Sequence, residues 1–242
     1  MIKAVTLDLW NTIFVEKSFS KDRSVTVQRH LEDHGISREI DDIQAGFHYA
    51  KNLFEKDWIE NYIQMPLSTR IKHILDSLNT SLPQESIDQI ISEFYQVFLE
   101  YPPEFKEGVI ETIEALKPEY KLGIISDTGI SHGSVIREYL DSVGILEHFT
   151  STIFSDEIGY SKPHRIPFQK ALKELDVKPH EVVHVGDLLR TDVTGAKNIG
   201  MKAVWIKTGN KTPENVEPDY TITAMPELLD YLNKQNHSGS IV

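Results

Sequence analysis

Lys3-Ala4-Val5-Thr6-Leu7-Asp8-Leu9-Trp10-Asn11-Thr12 is the stretch on which the reading of this chain turns. A short apolar run of the kind that forms a buried strand ends in a carboxylate. In open parallel sheets, ligands bind just beyond the carboxyl ends of the strands. The pattern therefore sets Asp8 at the start of a loop in that position. A carboxylate there can attack a phosphoryl group or a carbon, forming an acyl phosphate or an ester, and it can bind Mg²⁺. An Asp that merely ends a strand is the competing reading, and the rest of the sequence decides between them.

Outward from that strand, residues 19–100 show no strand alternation and four helix-like blocks. The first covers 21–34, through Val25, Val27 and Leu31, and stops at Gly35. The second covers 39–62 with Ile43, Phe47, Ala50 and Phe54. The third is opened by Ser68 and carries Leu67, Ile71, Ile74, Leu75 and Leu78. The fourth follows Pro83 and sets Ile87, Ile90, Ile91, Phe94 and Phe98 on one face. Tyr101-Pro102-Pro103 then stiffens the chain and ends the block.

From Phe105 the rhythm alternates: helix 108–117, strand 121–126, helix 133–143, strand 151–154, helix 165–175 and strand 182–186. Helix 191–198, strand 202–207, a short strand near 219–223 and helix 226–234 complete it. This predicts an α/β fold, a doubly wound parallel sheet of Rossmann-like type, with an α-helical domain inserted after the first strand. The expected bounds are 1–15 and 103–235 for the α/β domain, 16–102 for the helical insertion and 236–242 for a loose tail.

Composition narrows the partners. The 242 residues carry 37 acidic and 25 basic side chains, a net charge of −12, whose field opposes nucleic acid. A small phosphate in a locally basic pocket remains compatible. Cysteine is absent, which excludes disulfides, thiolate catalysis and thiolate zinc sites. No run has the length of a membrane span, and no charged-then-apolar leader pattern opens the chain, so a cytoplasmic protein without a membrane partner is expected. The sequence carries no signal for oligomeric state.

Reactive groups recur at the strand ends. Beside Asp8, strand 121–126 ends in Ser126-Asp127-Thr128-Gly129 ahead of a helix, where a hydroxyl and free N–H groups can hold an anion. Helix capping by Ser126 or Asp127 is the alternative. Ser161-Lys162-Pro163 offers a lysine that can offset the charge of a phosphate and of Asp8. Gly186-Asp187-Leu188-Leu189-Arg190-Thr191-Asp192 places two carboxylates across a strand-to-helix turn, a donor set suited to Mg²⁺. Asp192 can alternatively serve as an N-terminal helix charge. Trp58, Tyr62 and Arg70 are candidates to line a cleft, with packing or solvated surface as the competing role.

In this order and at these spacings the motifs resemble the haloacid dehalogenase-like (HAD) hydrolase superfamily across nearly the whole chain. Asp8-Leu9-Trp10-Asn11-Thr12 is similar to its first motif, with Asp8 as nucleophile; Ser126 falls on the second, Lys162 on the third, and Gly186-Asp187 with Asp192 on the fourth. Gly195-Ala196-Lys197-Asn198-Ile199-Gly200-Met201 also looks like family sequence. The resemblance implies a HAD core with a helical cap domain between the first and second motifs. It implies Asp8, Ser126 and Lys162 as catalytic residues. Trp10, Ser126, Asp127, Thr128 and Lys162 would contact substrate. Mg²⁺ would sit on Asp8, the main-chain carbonyl of Trp10, Asp187 and Asp192.

Two departures matter. Family phosphatases usually have a second Asp two residues after the nucleophile as general acid and base, and here that residue is Trp10. An indole has no titratable proton in the useful range, and such assistance is typically worth about 10²–10⁴-fold. His132 is a candidate substitute acid, with an exposed helix histidine as the competing reading. Asp127 stands where Asn is more usual, and its charge needs pairing. Haloacid dehalogenases also carry an aromatic in place of the second Asp. They usually replace the first metal Asp, however, which this chain keeps as Asp187, and Arg38 is a poor match to their substrate-binding arginine. The expectation is an Mg²⁺-dependent phosphatase of small phosphorylated metabolites. The alternatives are a 2-haloacid dehalogenase and a catalytically weak phosphate-binding module.

Overall fold

The computed structural model describes residues 1–209 and 216–237. Strand β1 (Ala4–Leu7) is buried along its whole length and hydrogen-bonds in parallel to β2 (Lys121–Ser126) on one side and β4 (Val182–Gly186) on the other. With β3 (Phe149–Phe154), β5 (Lys202–Ile206) and β6 (Tyr220–Ile222) they form a six-stranded parallel sheet ordered β3-β2-β1-β4-β5-β6. This is the doubly wound α/β fold that the alternating helices and strands imply. The central strands read as continuous apolar runs because both faces are covered.

The chain divides into two compact units: Met1–Glu16, Pro103–Asp127 and Leu140–Val242 make one, and Lys17–Pro102 with Thr128–Tyr139 the other. In the α/β unit, Ile125, Ile153, Phe168, Leu175, Val193 and Met201 share one buried cluster. Helix α9 (Thr194–Asn198) lies so close that a Cβ on Gly195 would fall 2.3 Å from the Phe168 ring of α8 (Arg165–Leu175).

The helical unit contains α1 (Ser20–Asp33), α2 (Ile40–Glu60), α3 (Leu67–Ser77) and α4 (Gln84–Glu100). Their apolar stripes meet in a core of Val27, Leu31, Ile43, Ile71, Ile74, Ile87, Ile90 and Phe94, and Ile130 packs against it. Val25 does not join that face: it is 52% exposed, and the polar Arg23, Ser24, Thr26 and His30 are buried on α1 instead. Helix α3 begins at Leu67 after Pro66, one residue ahead of the expected Ser68.

Helices α5 (Val109–Leu116) and α6 (Gly133–Ser142) follow their sequence pattern. Strand β3 starts earlier than expected, because a register shift at Leu122/Gly123 lets Phe149 pair with Leu122. A short helix α7 (Ser155–Ile158) follows it, which the sequence pattern did not suggest. Helix α10 (Glu227–His237) reaches into the expected tail, and 238–242 lie outside the described residues. No helix among the described residues is long and apolar enough to cross a membrane.

Candidate active site

The site is built where β1 ends between β2 and β4. Leu7 lies level with Ile124 on one side and Val185 on the other, and the Asp8 N–H donates to the Val185 carbonyl at 2.9 Å. Asp8 thus emerges beside Ile125-Ser126 and beside Gly186-Asp187. After Gly186 the chain makes a wide π turn over Leu189–Val193, where the expected helix 191–198 would have begun. The Asp192 and Val193 N–H groups both reach back to the Leu188 carbonyl, at 2.9 and 3.4 Å. Such turns are frequent at functional sites because they re-aim one side chain. Here the turn brings Asp192 over Gly186, where a Cβ would stand 2.2 Å from the Asp192 Cγ.

Lys162 locks these segments together. Its ammonium, only 2% exposed, donates to Asp8 Oδ1 at 2.6 Å, Asp192 Oδ1 at 2.6 Å and the Ile125 carbonyl at 2.8 Å. All three of its protons are spent. Its own backbone N–H donates to Asp127 Oδ1 at 2.9 Å, and its bond to Pro163 is cis. Asp127 therefore anchors the lysine loop, which answers the need to pair its charge. Residues 127–132 separate Ser126 from α6, so neither Ser126 nor Asp127 stands at a helix N-terminus.

Asp192 is held from all sides. Oδ1 also meets His184 Nε2 at 3.2 Å, and Oδ2 accepts from the Leu188 N–H at 3.0 Å and the Thr191 hydroxyl at 3.4 Å. His184 on β4 is itself fixed through Nδ1, 3.0 Å from the Thr6 hydroxyl of β1. Asp187 contrasts with it: among the described residues no other side chain bonds its carboxylate, while its carbonyl accepts from the Trp205 indole at 2.8 Å.

Oxygens of Asp8, Asp187 and Asp192 lie within 4.8 Å of one another. Burial pushes the Asp8 carboxyl well above the usual carboxylate range, with Asp192 and Asp187 adding to it and Lys162 opposing. Burial and the charge of Asp192 likewise push Asp187 up to about 7. Burial acts upward on Asp192 too, but Lys162 and His184 outweigh it and hold Asp192 below the usual range. Burial pulls the Lys162 ammonium down, and the surrounding carboxylates more than reverse that. Three carboxylates around one ammonium leave excess negative charge, and the oxygen donor set fits a hard divalent cation.

The Ser126 hydroxyl, one residue beyond the Ile125 carbonyl that Lys162 grips, is buried and has no partner among the described residues, as a donor meant for an oxyanion would be. Trp10 is half-buried with its ring edge-on to Phe14, 5.9 Å between centroids. Thr128 is buried and belongs to the helical unit, as does His132, whose ring lies 5.6 Å from Tyr95.

Of the other helical candidates, Trp58 stacks on Phe54 at 6.2 Å and Tyr62 turns the chain with φ 56°. Arg38 donates to the carbonyls of Leu78 and Ser37, so its fork closes the end of α3 instead of facing a ligand. Arg70 is treated below. Sequence reasoning missed His184 and Thr6, which sit inside strands read as plain core, and Trp205 for the same reason.

A parallel sheet of this order hosts many chemistries, and the carboxylates, serine and lysine gathered at the ends of its strands are the candidate reactive groups. The chain belongs to the haloacid dehalogenase-like hydrolase family, whose profile matches residues 23–206. Asp8 precedes the matched stretch, and its place rests on the geometry above.

The glyceraldehyde 3-phosphate phosphatase of Pyrococcus furiosus is 40% identical over 142 residues, covering 56% of this chain and 57% of that protein, so the match spans under two thirds of that relative. The pyrophosphatase PpaX of Bacillus anthracis is 30% identical over 166 residues, covering 66% of this chain and 75% of that protein. Among solved structures, a 2-haloacid dehalogenase from Pseudomonas syringae pv. Tomato superposes with a TM-score of 0.71 at 22% identity, covering 97% of this chain and 100% of that one; the likeness is one of fold.

Proposed function

We propose that the protein is an Mg²⁺-dependent phosphatase of small phosphorylated molecules, working through an aspartyl-phosphate at Asp8. The observation that carries this is the packing of Asp8, Asp187 and Asp192 around Lys162, with oxygens of the three carboxylates within 4.8 Å of one another. Asp8 and Asp187, with the Trp10 carbonyl, would hold Mg²⁺, and Asp192 would support them; the ion supplies neutralising charge for the phosphoryl oxygens.

Asp8 attacks phosphorus as the bond to the leaving oxygen breaks. The Ser126 hydroxyl donates to a phosphoryl oxygen, and Asp127 and Thr128 flank it. Lys162 holds Asp8 in line and offsets its charge. Water then hydrolyses the acyl phosphate and restores Asp8. Trp10 supplies no proton to the leaving group, so acyl and aryl phosphates, whose carboxylate or phenolate leaves without one, are the favoured substrates. The helical unit serves as the cap that selects among them. The net charge of −12 supports a small-molecule substrate over nucleic acid, with the cytoplasm as the place of action. Retention of Asp187 favours this reading over dehalogenation, which attacks carbon and needs no metal.

The test is a panel of aryl, acyl and alkyl phosphates assayed with Mg²⁺ and with EDTA. Turnover is expected with Mg²⁺ only and is expected to fall by about 10³-fold or more in Asp8→Asn. Hydrolysis that survives EDTA or that substitution overturns the mechanism. Chloride release from 2-chloropropionate without metal would identify a dehalogenase instead.

A further inference from the structure

A second ammonium stands beside the turn that follows Asp8. Lys106 is half-buried and lies in the same compact unit as that turn, on the stretch after Pro103. The two stretches are pinned together. The Val15 N–H donates to the Glu104 carbonyl at 2.8 Å, and the Lys106 N–H donates to the Ile13 carbonyl at 2.9 Å. Between them Phe14 and Phe105 form an antiparallel bridge, their ring centroids 5.1 Å apart.

The turn itself is tight. The N–H groups of Thr12, Ile13 and Phe14 converge on the Leu9 carbonyl at 3.2, 2.8 and 2.8 Å, and Asn11 takes up a left-handed backbone with φ 58°. Its carbonyl accepts from Lys106 Nζ at 2.7 Å. The ammonium is thereby held next to Trp10 in the chain, the residue with no proton to give.

The two lysines differ in what they have left. Lys162 spends its three protons on Asp8, Asp192 and the Ile125 carbonyl. Lys106 spends one, and the other two have no acceptor among the described residues. Its surroundings also loosen them: burial pulls the Lys106 ammonium below the usual lysine range, against the charge of Asp187. A lysine lowered in this way is the better proton donor near neutral pH.

We propose that Lys106 is the proton donor of the reaction, protonating the leaving oxygen of an alkyl phosphate held at Asp8. The proposal rests on the phosphatase reading. As an Asp8 oxygen bonds to phosphorus, the bond to the leaving oxygen breaks and its electron pair goes to that oxygen. An Nζ proton of Lys106 passes to it, and a neutral alcohol departs. The neutral amine then takes a proton from the water that attacks the acyl phosphate, which restores the ammonium and frees Asp8 and inorganic phosphate. Aryl and acyl phosphates release phenolate or carboxylate without that proton, so the role of Lys106 depends on the ester.

The experiment measures kcat/KM with Mg²⁺ across the alkyl and aryl phosphates of the panel above, and reads the ratio between the two kinds. Loss of a cation that merely attracts the substrate lowers both alike and leaves the ratio unchanged. Lys106→Met is expected to lower the alkyl esters by about 10²-fold or more relative to the aryl esters, the range that proton transfer confers. Lys106→Arg keeps the charge but holds its protons, and is expected to lower the ratio as far as Lys106→Met does. Thermal midpoints accompany each assay, and should Lys106→Met lose its fold, Lys106→Arg decides by the same ratio.

A ratio unchanged in both variants, or fully kept in Lys106→Arg, overturns the assignment. A wild type that hydrolyses aryl phosphates and no alkyl phosphate overturns the donor and leaves the phosphatase standing. A wild type that hydrolyses no ester with Mg²⁺ removes the phosphatase, and the donor with it.

Discussion

The two units treat buried charge in opposite ways. In the α/β unit, Lys162 gives its three protons to Asp8, Asp192 and the Ile125 carbonyl, and the imbalance left over is negative. In the helical unit, Arg23 and Arg70 face aromatic rings and one hydroxyl, and the imbalance is positive. A charge paired within the chain fixes geometry before any ligand arrives. A charge left unpaired gives up stability and keeps its donors available. The first arrangement holds its own geometry, and the second gives up stability for donors left without an acceptor.

The largest effect that sharpens this contrast is on folding. Lys162→Met strands two buried carboxylates and should cost about 3–5 kcal/mol. For a chain of this size that lowers the thermal midpoint by roughly 6–20 °C. Calorimetry in which Lys162→Met and Arg70→Met behave alike would erase the distinction between the two units.

Asp187 and Asp192 come next. Asp192 is tied to Lys162, His184 and the Leu188 N–H, so Asp192→Asn should lose about 1–3 kcal/mol in urea unfolding. Asp187 has no such ties, and burial and the charge of Asp192 raise its carboxyl. Asp187→Asn should therefore keep or increase stability in the same urea unfolding and, on the proposed mechanism, lose any dependence of turnover on Mg²⁺. Equal loss of stability in both variants would show that Asp192 does not orient the site.

The smallest effect is at Asp219, in a partly exposed cluster away from the Asp8–Lys162 cluster. Burial acts upward on its carboxyl, but the Ala203 N–H with Lys202 and Lys197 holds it below the usual range. A carboxyl depressed on folding stabilises above the usual carboxylate range and loses that contribution as pH falls through its folded value. Asp219→Asn should cost at most about 1 kcal/mol at pH 7, with the difference closing on acidification.

Much of this was legible in the chain. Apolar strands ending in Asp8, Ser126 and Gly186-Asp187 imply the parallel sheet and gather the candidate groups at one end of it, because strand burial and loop placement are local rules. What was not legible depends on partners far apart in sequence. His184 looks like one polar residue in an apolar strand until Thr6 and Asp192 close on it. Asp127 looks like a helix cap until the lysine loop arrives to bond it. Arg70 looks like solvated helix surface because amphipathic patterns assign charge to the outside, and only the packing of Phe54 over it reveals otherwise.

The helical unit also takes in Thr128–Tyr139, so the chain passes between the units at four places rather than two. The unit is therefore not a removable cassette. A graft that exchanged only 17–102 for a relative's segment would leave Ile130 and Ser131 behind, one cut away from its apolar core and the other from its guanidinium. Recombination between relatives must carry both stretches together to yield a folded chimera.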